Sequence, residues 1–438
     1  MHVSLPQKAT CPVTTPNRPQ GLYNYIAREL PFIRPIYRTL LSRRRTYAAF
    51  EVTQLETVLA KLAPTGPILD PMSGYGVLSE VCRSINIPTC CMEVNPPSYL
   101  WQIFSEPNNK NGLLLAVQAL AEASRRGRTS KEFEASDSWF PNESILIIQN
   151  IWKKALNHLK NDLTAHNAEK CVAAILLPFL GRLSSCSEGT INIQVKKGGI
   201  VFFKDWQLDF KKYLALISDT IFKNYEISQT KNEILLLDAL EEYKISKKYS
   251  FIITSPPYPN MRDFYTFFFP ENYAIESIID QNIFSTQNSR KNIIGNVKVS
   301  TFKKENDVDI DKLSSSYAKN FLKDLEAWKG PKRAMDDNRS YYIPYYFSYF
   351  FQIERAYKNI EKILNKHFDG YIIVVNNTVR KFVIPVAQVV KEIWQGFGCE
   401  AVIDDSLTTE RTHVGSINPR AVGFKARHME YAIRISRG

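Results

Sequence analysis

Ile68-Leu69-Asp70-Pro71-Met72-Ser73-Gly74-Tyr75-Gly76 decides the fold class of this chain. Two apolar residues running into a carboxylate read as the end of a buried strand. Pro71 stops the strand, and Gly74 and Gly76 let the backbone turn tightly and approach a ligand closely. Val77, Leu78, Val81, Cys82 and Ile85 follow at helical spacing. Strand, glycine-bearing loop and helix, in that order, open a nucleotide-binding α/β unit. The pattern Asp-Pro-x-x-Gly-x-Gly is not the dinucleotide fingerprint.

Downstream, Pro88 to Cys91 leads into Met92-Glu93-Val94-Asn95-Pro96, a second strand ending in a carboxylate. An acidic residue about 20 residues past a glycine loop is placed to accept hydrogen bonds from ribose hydroxyls. A helix cap or a surface carboxylate is the other reading of Glu93. Ile234 to Leu240 is a further apolar run, broken by Asp238, and Tyr249–Thr254 is the next. That run ends in Ser255-Pro256-Pro257-Tyr258. Two consecutive prolines fix φ and remove two backbone donors, which leaves their carbonyls free to accept. A hydroxyl on one side and a flat ring on the other suit a planar base carrying an exocyclic amino group. An ordinary proline turn is the alternative for these four residues.

The order glycine loop, Glu93, Asp238, Ser255–Tyr258 resembles the S-adenosylmethionine-dependent DNA amino-methyltransferases. The form Thr254-Ser255-Pro256-Pro257-Tyr258 is most similar to those that methylate the N4 of cytosine. The resemblance implies an α/β fold: a class I methyltransferase, Rossmann-like sheet with a largely helical insertion and a loop-rich recognition segment. It implies that Asp70, Pro71, Gly74 and Gly76 form the S-adenosylmethionine loop, with Asp70 near the methionine end. Glu93 then meets the ribose and Asp238 the adenine amino group, with helix capping as the other reading of Asp238. Phe50, in Tyr47-Ala48-Ala49-Phe50, packs over the methionine moiety in this likeness, with a core aromatic as the alternative.

The same resemblance makes Ser255, Pro256, Pro257 and Tyr258 catalytic. Ser255 Oγ and the Pro256 carbonyl hold the two N–H bonds of the amino group, and Tyr258 stacks on a base extruded from the duplex. Transfer is direct and driven by positioning. Methylation at a ring carbon needs a cysteine nucleophile, typically in a Pro-Cys loop, and the chain has no Pro-Cys dipeptide. Duplex DNA and a cognate restriction endonuclease are the partners implied. Three alternatives stay open: an adenine-N6 methyltransferase, an RNA amino-methyltransferase, and a non-catalytic DNA-binding modification subunit.

The layout expected is an N-terminal arm over 1–46, then catalytic domain over 47–99. A helical insertion over 100–230 follows, and the catalytic domain resumes over 231–275 with its motif. A candidate target-recognition segment covers 276–340, and 341–438 completes the catalytic domain. Helices are predicted at Leu113–Ala123, Ile145–Leu159, Ala168–Phe179 and Phe210–Ile221. The segment 276–340 is polar, rich in Asn and Lys, and reads as loop. Tyr341–Phe351 reads as a helix packed on the sheet. Gly370–Asn377 reads as a strand, Val383–Trp394 as a helix, Phe397–Cys399 as a turn and Tyr431–Ile435 as a terminal strand; the resemblance implies that a late strand, helix and antiparallel closing strand complete the sheet.

Composition bounds these readings. At 438 residues the chain exceeds one compact core, so two domains or one with large insertions are expected. A net charge of +12 favours a polyanionic partner. The basic clusters, such as Arg43-Arg44-Arg45, Arg125-Arg126-Gly127-Arg128 and Lys303-Lys304, are dispersed, and singly each reads as a solvated face. Seven cysteines without C-x-x-C spacing, and six histidines without ligand spacing, point to neither disulfides nor a metal site. The apolar runs, such as Val172–Leu180, are too short to span a bilayer, and no signal peptide is evident. A cytoplasmic protein without membrane or metal partners is expected.

Overall fold

The computed structural model describes residues 52–125, 142–183, 206–224, 230–259, 271–272, 274–275, 293–295, 308–380, 382–411 and 428–438. The N-terminal arm and the segment Tyr47–Phe50 lie outside them. In chain order the first elements are α1 (Val52–Leu62), β1 (Ile68–Asp70), α2 (Val77–Ser84), β2 (Thr89–Glu93) and α3 (Pro96–Ser105). Four longer helices follow: α4 (Lys110–Arg125), α5 (Asn142–Leu159), α6 (Ala165–Leu183) and α7 (Trp206–Asn224). Then come β3 (Glu233–Leu236), β4 (Tyr249–Thr254), α8 (Ser316–Ala327), α9 (Lys332–Asp337), α10 (Ile343–Glu361) and β5 (Leu364–Asn376). A hairpin of β6 (Thr378–Val379) and β7 (Phe382–Val383) leads to α11 (Val386–Gly396), β8 (Glu400–Ile403), β9 (Thr409–Arg411) and β10 (His428–Arg437).

Eight strands form one sheet in the order β3-β2-β1-β4-β5-β10-β8, with β9 beside β10. The pairs from β3 through to β5 are parallel, and β10 runs antiparallel to β5 and β8. This is a Rossmann-like sheet with helices on both faces. Side chains alternate between two cores, as the two-residue period of a strand requires. Ile68, Ile253, Tyr371 and Ile373 enter one core, and their neighbours Leu69, Ile252, Ile372 and Val374 enter the other. Burial on both faces is why these strands read as unbroken apolar runs rather than alternating ones.

The first core is covered by α1 to α7, the second by α8, α10 and α11. Helices α4 to α7 contain each of the four predicted helical stretches. They form no core of their own, because Val172, Ile175 and Leu176 share one with Ile68 and Val77. Every residue of α3 is buried, since it lies between the sheet and α6. Its polar residues Ser98, Gln102 and Ser105 are buried with the apolar ones.

Two expectations are corrected. The segment 276–340 is not loop throughout: from Ser316 onward it is helical through α8, α9 and a π-helical turn at Asn338–Tyr342, with 328–331 alone non-helical between α8 and α9. Ser315 caps α8 by accepting from the Ala318 amide at 3.2 Å, and Ala318, Phe321, Leu322 and Leu325 bury one face. That apolar stripe outweighs the polar composition around it. Val383 belongs to β7, and the helix begins at Val386. Ile384 precedes a proline and is held out of helical conformation.

Within α10, Tyr345, Tyr346, Phe347, Tyr349 and Phe350 are buried against α8 and the sheet. Among the described residues, no helix is long and apolar enough to cross a membrane. No group of three or more His, Cys, Asp or Glu among them is arranged to hold a metal ion.

Candidate functional site

Parallel pairing sets the carboxyl ends of β3, β2, β1 and β4 side by side, the edge where open α/β sheets bind ligands. Asp238 follows β3, Glu93 ends β2, Asp70 ends β1 and Ser255 follows β4. Residues far apart in sequence thus share one edge.

The glycine loop is stitched to the end of β2. Gly74 (φ 54°) and Gly76 (φ 76°) take the left-handed conformation that L side chains resist. The Gly74 amide donates to Glu93 Oε2 at 2.8 Å, and the Asn95 amide donates to Oε1 at 2.8 Å. Ser73 donates to the Met92 carbonyl from both its amide and its hydroxyl, each at 3.0 Å. Pro71 is buried at the start of the turn. Glu93 is half-buried, and its carboxylate keeps lone pairs beyond those two amides. Desolvation pushes Glu93 up to about 7, with the two N–H bonds opposing it.

Asp70 is fully buried. Its Oδ1 accepts from Thr254 Oγ1 at 2.8 Å and from the Met72 amide at 3.3 Å. Its Oδ2 has no hydrogen-bond partner among the described residues. Burial pushes Asp70 up to about 7, the Thr254 hydroxyl pulling the other way. A buried carboxylate with one unused oxygen fits a site that takes a cationic ligand. The loop itself leaves room: a Cβ on Gly74 would meet nothing within 4 Å.

The end of β3 joins the same cluster. The Leu237 amide donates to the Glu93 carbonyl at 3.0 Å, which sets Asp238 beside β2. Asp238 is half-buried, and its Oδ1 accepts from the Leu240 amide at 2.9 Å. It therefore caps a turn.

At the end of β4, Ser255 Oγ and Tyr258 Oη lie 3.0 Å apart. Ser255 and Pro257 are half-buried, Pro256 and Tyr258 buried. Tyr349 Oη donates to the Pro257 carbonyl at 2.9 Å. The Pro256 carbonyl accepts no hydrogen bond among the described residues. Tyr345 Oη donates to the Gly295 carbonyl at 3.0 Å, which brings the turn at 293–295 to the same helix.

Asp70, Pro71, Gly74, Gly76, Glu93, Asp238 and Ser255–Tyr258 thus come together, whereas Phe50 lies outside the described residues. Thr254, Ser73, Asn95, Tyr349 and Gln102 belong to the same network, and the sequence pattern alone does not single them out. Thr254 comes closest, since it stands inside the quoted Thr-Ser-Pro-Pro-Tyr motif. No family model matches this sequence, and no curated protein matches it.

Proposed function

We propose that this chain is an S-adenosylmethionine-dependent methyltransferase that modifies the exocyclic N4 of cytosine in duplex DNA. The observation that carries the reading is the Thr254–Asp70 hydrogen bond. It ties the strand that delivers Ser255–Tyr258 to the strand that delivers the glycine loop, so a cofactor and an amino group held at these motifs are neighbours. The late strand, helix and antiparallel closing strand expected from the resemblance are also present as β5, α11 and β10.

In this reading Asp70, the backbone of Gly74 and Gly76, Glu93 and Asp238 hold the cofactor. When bound, it supplies an electrophilic methyl group on a cationic sulfur. The remaining work falls to the chain. Cytosine N4 is a poor nucleophile because its lone pair is delocalised into the ring. Ser255 Oγ and the Pro256 carbonyl accept its two N–H bonds and draw the nitrogen towards tetrahedral geometry. Tyr349 occupies the Pro257 carbonyl, which leaves Pro256 as the proline carbonyl for that task. If Ser255 donates to Tyr258, both serine lone pairs remain for the amino group. The positive charge of +12 supports a nucleic-acid substrate.

The test is nucleoside mass spectrometry of duplex DNA treated with the purified chain and S-adenosylmethionine. N4-methylcytosine is expected. N6-methyladenine alone would keep the class and overturn the base. Label in RNA alone would overturn the DNA substrate, and no transfer to either would overturn the reading.

A further inference from the structure

Gln102 is 3% exposed in the middle of α3, a helix otherwise apolar along Tyr99-Leu100-Trp101 and Ile103-Phe104. Its Nε2 donates to Ser73 Oγ at 2.7 Å and to the Gly74 carbonyl at 2.8 Å. A Cβ on Gly76 would lie 2.8 Å from Gln102 Cγ and 3.1 Å from its Cδ and Oε1. One side chain therefore touches three residues of the glycine loop. The Gly74 peptide is held on both sides, its N–H by Glu93 and its C=O by Gln102.

We infer that Gln102 is a positioning residue for the cofactor loop, and that the helical insertion serves the cofactor half of the site by holding Gln102 in place. The inference rests on the methyl-transfer reading. Helix α3 is fixed at its far end by Arg83 of α2, which donates to the Ser105 carbonyl at 2.9 Å. Along its length α6 covers it, with Lys170 over the Tyr99 ring at 5.7 Å. Without the Gln102 amide, the Gly74 carbonyl is unpaired and the left-handed loop loses its second anchor. Ordering the loop then becomes a cost of ligand binding. The effect falls on cofactor affinity, because Gln102 is bonded to the loop and not to the Ser255–Tyr258 motif.

The experiment compares wild type, Gln102→Leu and Ser73→Ala. Binding of S-adenosylhomocysteine is measured by titration calorimetry, with KM determined separately for S-adenosylmethionine and DNA. Gln102→Leu removes both donated bonds and keeps the apolar bulk. We expect its affinity to fall roughly ten-fold or more, from two lost hydrogen bonds. KM for the cofactor should rise by a similar factor, with kcat and KM for DNA changing much less. Ser73→Ala removes the hydroxyl that accepts from Gln102 and donates to the Met92 carbonyl; the Ser73 amide still holds Met92 and Gln102 still holds Gly74, so binding should weaken by only about three-fold. It decides the matter if Gln102→Leu does not fold. Both variants binding as tightly as wild type would overturn the inference alone, as would equal rises in the two KM values. A wild-type chain that binds neither S-adenosylhomocysteine nor S-adenosylmethionine would overturn the cofactor reading and this inference together.

Discussion

Tyr349 reaches across from the aromatic helix α10 and donates to the carbonyl of Pro257 at 2.9 Å. The ring is 1% exposed, so the hydroxyl has little freedom to leave that carbonyl. Tyr349→Phe keeps the packing and removes the bond. Stability should fall by about 1 kcal/mol, the net worth of one hydrogen bond. In the proposed reading the single-turnover rate of methyl transfer should also fall, about ten-fold, because the Pro257 carbonyl is then free to compete for the target amino group. Calorimetric affinity for the cofactor should be unchanged. A wild-type rate in this variant would disprove the assignment.

Ser255 and Tyr258 share a hydrogen bond yet should behave differently on substitution. Ser255→Ala should lower turnover much more than DNA affinity, since in the proposed reading its hydroxyl accepts from the reacting amino group. Tyr258→Ala should weaken both, as base–aromatic stacking is worth about 1–3 kcal/mol. Because Tyr258 is only 8% exposed, part of that loss will be packing. Tyr258→Phe separates the two contributions, and steady-state kinetics on all three variants provides the check.

Burial raises both Asp70 and Glu93 to about 7. A cationic ligand favours their charged forms, so binding expels protons below that pH. Affinity for S-adenosylmethionine should be flat above about pH 7.5 and fall as pH drops through 7 towards 5.5. Calorimetry in buffers of different ionisation enthalpy should detect proton release at pH 6 and little at pH 8.5. For folding stability the sign is the reverse. Asp70 is protonated when folded and ionised when unfolded between its ordinary 3.8 and about 7. Its contribution to stability therefore declines as pH rises through that window, by about 1.4 kcal/mol per pH unit.

Gly370 lies opposite Ile252, where β4 and β5 pair. A Cβ there would collide with the Ile252 carbonyl and its Cγ2 methyl, both inside a packed sheet. Gly370→Ala should destabilise the fold by about 1–3 kcal/mol or more, as overpacking does in cores. Thermal unfolding reads this directly, and an unchanged melting temperature would contradict the register.

Affinity for duplex DNA should drop steeply with salt, since phosphate neutralisation releases counterions. A fluorescence-anisotropy series across salt concentrations gives the slope. Salt-independent binding would exclude a phosphate-dominated interface.

Much of this architecture is legible in the sequence. The strand–loop–helix at Ile68–Ile85 and the apolar runs ending at Glu93 and Thr254 carried periodicity strong enough to place elements. Helices α4 to α7 were equally legible, because their apolar spacing repeats over several turns. The helices of 308–340 were not, because Asn- and Lys-rich composition masked the shorter stripe of Phe321, Leu322 and Leu325. Tyr349 and Gln102 act through tertiary contacts 92 and 28 residues distant, and no local rule marks them. A lone amide inside the apolar run Tyr99–Phe104 was nonetheless a detectable anomaly.

The Thr254–Asp70 bond joins residues 184 positions apart. During synthesis, β1 and β2 leave the ribosome long before β4 does. At the usual rate of elongation the gap is roughly 10–40 s. Throughout it, β1 offers one edge of unpaired N–H and C=O groups to any passing strand. The two halves of the site thus meet late, and Tyr349 reaches Pro257 later still. Nascent chains stalled between α7 and β4 should be the species that chaperones capture, and slower translation there should lower the yield of folded protein.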